Sequence, residues 1–391
     1  MLSVIRRARK SLGQLCLGLG ALVLSACVQT AGPGPASPGK GGSVQVALLV
    51  PSGSGQAQDE LFGSNLENAA RLAMADLSGV KIDLRVYKTG GSPAQAAALA
   101  GQAVDEGAQV ILGPFYSEEA NAAGVAVANS GVNVLAFSNN AAIAGGNVFV
   151  LGQTFDITAR RLASFAVSSG KSKFLIVNDR NVAGDVGRAA IERGVAAAGG
   201  SVVGVASYEF SQNGIVQAAS GIVTTARSSG ATALFLTADT AGALPLLSQL
   251  LVDNGIDRNT TQFIGLTRWD IPPGTLSLPG VQGGWFAMPD PGLTAQFRSR
   301  YESAFGSQPI PVAGLAYDGI AAIGALAGRV KGGAPLGKAD LTQPAGFAGV
   351  SGIFRLLPNG TNQRGLAVAQ IRDNQVFVID AAPRSFGGAG F

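Results

Sequence analysis

The chain has no histidine, and its 391 residues include only two cysteines, three methionines and two tryptophans. Without imidazole there is no Ser-His or Cys-His nucleophile pair, no His-ligated metal and no imidazole acid–base chemistry. Most metalloenzyme and hydrolase classes fall together, leaving a carboxylate-only or lysine-assisted enzyme as the remaining catalytic option. Both thiols, Cys16 and Cys27, lie near the N-terminus, so no disulfide framework staples the body of the chain. A long apolar run is missing too. The stretch from Leu12 to Leu24 falls short of the roughly 20 residues that span a bilayer. Stability must therefore come from a buried core, and a 47% hydrophobic composition supplies material for two packed lobes.

What is present begins with a leader. Arg6, Arg7, Arg9 and Lys10 precede the apolar run, which ends at Leu24-Ser25-Ala26-Cys27. A basic segment, a short apolar segment and small residues before a cut site make a secretory signal peptide over residues 1–26. Cysteine directly after the small residues resembles the lipobox of bacterial lipoproteins. That resemblance implies cleavage before Cys27, acylation of its thiol and a lipid-anchored N-terminus, each buried CH2 contributing about 0.8 kcal/mol. Val28, in place of aspartate, implies the periplasmic face of the outer membrane, with the outer leaflet of the inner membrane as the alternative. The four basic residues upstream of Cys27 account for the whole excess of 28 basic over 24 acidic residues. The mature chain is neutral, and nucleic acid loses its electrostatic warrant.

Residues 27–42 read as the acylated cysteine and a Pro/Gly/Ser/Ala tether, and 383–391 as a loose, glycine-rich tail. Between them strands and helices alternate: Val44 to Val50, a helix through Leu66, Ala70, Ala73 and Leu77, Ile82 to Tyr87, Pro93 to Glu106, Gln109 to Leu112, Ser117 to Ala128, Asn133 to Phe137. The rhythm restarts at Lys173 to Val177 and continues through Gly184 to Ala198, Ser201 to Tyr208 and Ala233 to Thr237. Such alternation predicts an α/β fold of two Rossmann-like lobes, each a parallel sheet flanked by helices. Leu293 to Phe305 and Val312 to Val330 read as helical. Phe347 to Leu357, Gly365 to Ile371 and Gln375 to Ile379 read as antiparallel strands, with turns at Pro358-Asn359-Gly360 and Arg372-Asp373-Asn374.

In order and spacing several blocks resemble type I periplasmic binding proteins of the leucine/isoleucine/valine-binding kind. They are Val46 to Gly55, Val110-Ile111-Leu112-Gly113-Pro114, Phe137-Ser138, Val177-Asn178-Asp179-Arg180, Phe297/Tyr301/Phe305, Ala316-Tyr317-Asp318-Gly319 and Gly352-Ile353-Phe354-Arg355. The resemblance covers nearly all of residues 43–382. It implies three hinge crossovers, with 43–151 plus 290–341 as lobe 1 and 152–289 plus 342–382 as lobe 2. It also implies a small-molecule ligand held in the interlobe cleft, with no catalysis, metal or cofactor. Cleft candidates by position are Ser52, Ser54, Tyr116, Ser117, Ser138, Asn139 and Asn140 in lobe 1. In lobe 2 they are Asn178, Asp179, Arg180, Thr267, Arg268, Trp269 and Asp270. Two positions depart from the amino-acid-binding pattern: Val182-Ala183 stand where an aromatic lid is implied, and Leu266 to Trp269 where a glutamate is.

The segment Leu135 to Asn140, followed by Ala144 to Gly152, is similar to the lipoprotein branch of penicillin-binding-protein activators. This branch implies an envelope regulator whose partner is a peptidoglycan synthase. The competing expectation is the substrate-binding lipoprotein of an ABC permease importing branched-chain amino acids, amides or related solutes. Lys88-Thr89-Gly90, Ser138-Asn139-Asn140 and Ser168-Ser169-Gly170-Lys171 imitate the motifs of penicillin-binding enzymes, but in reversed order and without a helix opening at the serine.

Overall fold

A computed structural model of the protein describes residues 43–330 and 333–387. The leader, Cys27 with its expected lipid, the tether up to Gly42 and the last four tail residues lie outside the described residues. Strands β1 (Val44–Val50), β2 (Ile82–Lys88), β3 (Val110–Leu112), β4 (Val134–Ala136) and β5 (Val148–Val150) come first. Helices α1 (Ala57–Asp76), α2 (Pro93–Asp105) and α3 (Ser117–Ala126) connect them. Helix α4 (Phe155–Ser168) then leads into β6 (Lys173–Asp179), α5 (Val182–Ala197), β7 (Ser201–Tyr208), α6 (Gln212–Ser228), β8 (Ala233–Leu236), α7 (Leu244–Asp253), β9 (Gln262–Gly265) and β10 (Trp285–Met288). The remainder supplies α8 (Pro291–Phe305), α9 (Ala313–Leu326) and α10 (Lys338–Leu341). Five short strands end the chain: β11 (Phe347–Gly349), β12 (Gly352–Leu356), β13 (Asn362–Arg364), β14 (Ala367–Arg372) and β15 (Gln375–Asp380).

Two parallel sheets result, with the same internal order. Lobe 1 runs β2-β1-β3-β4-β5, and lobe 2 runs β7-β6-β8-β9-β10, extended by antiparallel β14 and β15. Strand β1 shows why a parallel sheet forms. Its sequence is almost continuously apolar, and both faces are buried. Val46, Leu48 and Val50 enter one core with α1, α8 and α9, while Ala47 and Leu49 enter another beneath α2 and α3. Strand β6 repeats the arrangement, with Leu175 and Val177 on one face and Phe174 and Ile176 on the other.

Helices α4, α6 and α7 fill stretches that the sequence reading left unassigned. Helix α6 carries Gly214, Gly221 and six β-branched residues, a weak helix by propensity. Its capping by Ser211 and burial of Ile215, Ile222 and Val223 hold it. The predicted turn at Arg372-Asp373-Asn374 joins β14 to β15 as a two-residue hairpin, with positive φ at Asp373 and Asn374.

The expected division at residue 342 does not hold. Phe347, Phe354 and Leu356 of the three-stranded sheet β11-β12-β13 pack into the core of lobe 1 with α9, whereas β14 and β15 complete the sheet of lobe 2. The reason is local. Strand β11 meets α9 of the same lobe, and the alternating apolar residues of β12 enter that core beside it before the chain crosses back.

Three crossovers join the lobes: β5 to α4, β10 to α8 and β13 to β14. Asn362 donates to the carbonyls of Val150 and Gly152, and Arg364 donates to that of Leu151, so the first and third crossovers are tied together. Arg364 also pairs with Asp318 of α9 at 2.8 Å, both side chains buried. Burial pushes the Asp318 carboxyl up, opposed by Arg364 and by the Val350 N–H that it accepts. Removing one partner of such a pair costs about 3–5 kcal/mol, because an uncompensated charge stays buried.

Candidate functional site

In each sheet the chain order reverses beside the first strand. Loops leaving β1 and β3, or β6 and β8, therefore diverge and open a crevice beyond the carboxyl ends of the strands. Two crossovers leave from the carboxyl ends of β5 and β10, which draws both crevices to the interlobe region. The candidate site is this pair of facing rims.

On the rim of lobe 1, Thr89 donates to the Val50 carbonyl with both its N–H and its hydroxyl, and Gly90 N–H reaches Ser52 O at 3.0 Å. Ser52 lies buried beneath α1, where a Cβ on Gly63 would stand 1.9 Å from its Oγ. Ser54 Oγ accepts from Gln56 N–H and shapes the entry to α1. Gly113, at φ +91°, lets the chain leave β3; a Cβ there would meet Leu49 O at 2.2 Å. Tyr116 follows, and its hydroxyl donates to the buried Asp59. Burial, reinforced by that acid, pushes the Tyr116 phenol up to about 12. Ser117 opens α3 without capping it, its hydroxyl donating to Glu118.

Glu119 lies two residues further, in the first turn of α3, and is wholly buried. Neither carboxyl oxygen has a hydrogen-bond partner of good geometry. Burial pushes its pKa up, partly opposed by the Thr89 hydroxyl and the Tyr116 N–H beside it. After β4, Ser138 Oγ accepts from Asn140 N–H, and Asn140 Oδ1 accepts from Ala142 N–H. These two side chains turn the backbone, and exposed Asn139 is the member of the triplet that remains free for a ligand.

The rim of lobe 2 is more closely knit. Asp179 Oδ1 accepts from the Thr237 hydroxyl at 2.6 Å and Oδ2 from the Asn181 amide, while Asn181 also caps α5. Asn178, fully buried, accepts from Ser207 and serves the sheet. Arg180 pairs with Glu209 in the open, at 2.8 Å. Arg268 and Asp270 form a two-point pair that opens, with Ile271 and Arg298, onto a cavity of about 590 Å³ beside the second crossover. Thr267 is half-buried with its hydroxyl unpaired.

Trp269 overturns its expectation as a cleft residue. It is fully buried in the core of lobe 2, fitted against Gly265 and Gly284, where added Cβ atoms would each stand 2.2 Å from its ring. Sequence position placed it after a strand end, but its ring packs into space that Gly265 and Gly284 leave open.

Reasoning from sequence missed Asp59, Thr89 and Glu119 in lobe 1, and Asn181, Tyr208, Thr237 and Asp239 in lobe 2. Tyr208 is buried with its hydroxyl unpaired, near enough to Asp179 and Asp239 for both acids, after burial itself, to push its phenol further up. Acids in first helical turns are ordinary, so nothing marked Asp59 or Glu119. Each rim thus carries a tyrosine beside two acids. Among the described residues no hydrogen bond or ion pair joins the two rims; the lobes are linked through the crossovers.

The comparisons agree with this architecture. A protein of Rhodospirillum rubrum provisionally assigned to branched-chain amino acid ABC transport superposes with a TM-score of 0.71 at 20% identity, over 86% of this chain and 100% of that one. A branched-chain amino acid ABC transporter periplasmic ligand-binding protein of Burkholderia xenovorans gives 0.68 at 18% identity, over 89% and 97%. An ABC transporter substrate-binding protein of Desulfitobacterium hafniense in complex with Leu gives 0.61 at 17% identity, over 86% and 100%. Among curated proteins, none matches the chain. Residues 43–375 match the family described as periplasmic binding protein, spanning all three crossovers and every strand before β15, and the chain belongs to that family.

Proposed function

We propose that the protein is a non-enzymatic solute receptor, which traps a small polar molecule between its lobes and delivers it to an ABC permease. One observation carries this reading: two strand-order reversals, one per lobe, present polar rims to each other across a hinge of three crossovers. Similar structures include receptors for branched-chain amino acids, among them the one bound to Leu, which favours an amino acid, amide or related solute. Asp59, Tyr116, Asn139 and Ser54 would contribute from lobe 1, and Asp179, Thr237, Arg180, Arg268 and Asp270 from lobe 2. The sequence before Cys27 supports export, with a lipid at Cys27 holding the body at the periplasmic face of a membrane. The expectation of an envelope regulator acting on a peptidoglycan synthase rests on the resemblance of residues 135–152, together with the lipobox, the tether and the two departures from the amino-acid-binding pattern.

Thermal unfolding of the purified protein against leucine, isoleucine, valine, their amides, benzoate and muropeptides tests the proposal. A ligand at a hundred times its dissociation constant adds about 2.7 kcal/mol. The midpoint should then rise by about a degree or more. A rise with one small solute is the expected result. A flat response to the solutes overturns the receptor reading, and a response to muropeptides alone points to the regulator.

A further inference from the structure

Among the described residues the two large sheets have four edges, at β2, β5, β7 and β15, and they are not alike. Strand β2 carries Asp83, Arg85 and Lys88. Strand β5 is three residues long, and its Val150 N–H donates to Gly360 O of the loop beside it. Strand β15 carries Asp380, which pairs with Arg161. Charges, short strands and covering loops are the means by which native sheets avoid pairing with other chains. Strand β7 has none of these. Its eight residues, SVVGVASY, include no charge and no proline, and Val202 and Val205 are 36% and 41% exposed. A register shift near Val203 disturbs only its start, and Gly204 to Tyr208 follow β6 regularly. Among the described residues, no backbone hydrogen bond from Val202 to Ser207 reaches beyond the β6 ladder.

Helix α6, which packs on β7, departs from the ordinary in the same direction. A surface helix usually turns charged residues to water. The exposed positions of α6 as far as Thr224 carry no charge, and among them are Val216, Gln217 and Ser220. From Ser201 to Ala226 the only charged side chain is Glu209, which Arg180 holds. Depletion of charge with apolar groups retained characterises the centre of a protein interface.

We propose that β7 pairs antiparallel with β7 of a second copy, giving a two-fold dimer in which the sheets of the two lobes 2 are continuous. Charge selects this occupant. A two-fold axis sets the strip against itself, so any charge near the axis would face its own kind. A strip without charge meets its copy with no such repulsion, and each strand supplies the row of N–H and C=O groups that the other lacks. With the axis normal to the sheet, the two α6 helices flank the joint on one face. Three strands separate β7 from β10, where the nearest crossover leaves, so the joint keeps clear of the hinge.

Sedimentation velocity of the purified protein over a range of concentrations tests the assignment. The parent should show a monomer–dimer equilibrium. Val205→Lys and Val205→Asp should each raise the dimer dissociation constant about tenfold or more, because like charges then meet across the axis. A mixture of the two variants should dimerise again, since opposite charges now face each other. Val205 lies on an exposed edge, so circular dichroism and melting of both variants should match the parent. Association through the lipid expected at Cys27 would be untouched by either change. A monomeric parent, unchanged association in both variants, or no recovery in the mixture overturns the proposal. Growth beyond the dimer overturns it as well, because it marks a head-to-tail contact such as β7 on β15.

Discussion

The two rims are built on one topology and solve the same electrostatic problem in opposite ways. Lobe 2 buries Asp179 and satisfies it, with Thr237 and Asn181 donating to its two oxygens. Lobe 1 buries Glu119 more deeply and leaves both oxygens without well-placed donors, so burial pushes its pKa up. The lesson is that position in the rim fixes where a carboxylate lies but not how its oxygens are satisfied. Hydrogen-bond supply decides that. An acid anchored by two donors prepares lobe 2 to meet a further donor or a cation. A carboxyl biased toward its neutral form makes the rim of lobe 1 sensitive to pH.

The largest test of this contrast concerns Trp269. Trp269→Ala should destabilise the protein by about 3–5 kcal/mol, the cost of emptying a core site of this size, measured by urea unfolding. A loss below about 1 kcal/mol, within the range of surface changes, would return Trp269 to the cleft and make the two rims alike. Next comes Asp179→Ala, which strands the Thr237 hydroxyl and the Asn181 amide. About 1–3 kcal/mol should be lost, again by urea unfolding, and no loss would show that lobe 2 is no better satisfied than lobe 1.

The smallest effect belongs to Glu119. Its folded pKa is raised, so the protonated acid contributes stability that is full below its ordinary value of 4.5. That contribution is lost as pH rises from there through the folded value. Melting temperatures of the parent should therefore fall across this window relative to those of Glu119→Gln, which has no proton to lose. Parallel curves for the two proteins would remove the contrast between the lobes.

Much of the fold was legible because it follows from short-range pattern. The apolar run of β1, the 3.6-residue spacing of Leu66, Ala70 and Ala73, and the Asp373-Asn374 turn each dictate local structure by burial or by backbone sterics. Absence of histidine was equally decisive, since no folding can supply a missing side chain. The candidate site was legible only as a set of strand ends. Asn139, Arg180, Arg268 and Asp270 were read as cleft groups and lie on or beside the rims, whereas Trp269 went into the core and Ser138 and Asn140 shape a turn. Tertiary structure alone decided that Glu119 has no good donor, that Thr237 serves Asp179 from 58 residues away, and that β11 to β13 join lobe 1. The physical reason is common to all three. Burial and pairing depend on neighbours distant in sequence, and those neighbours exist only once the two sheets and their crossovers have assembled.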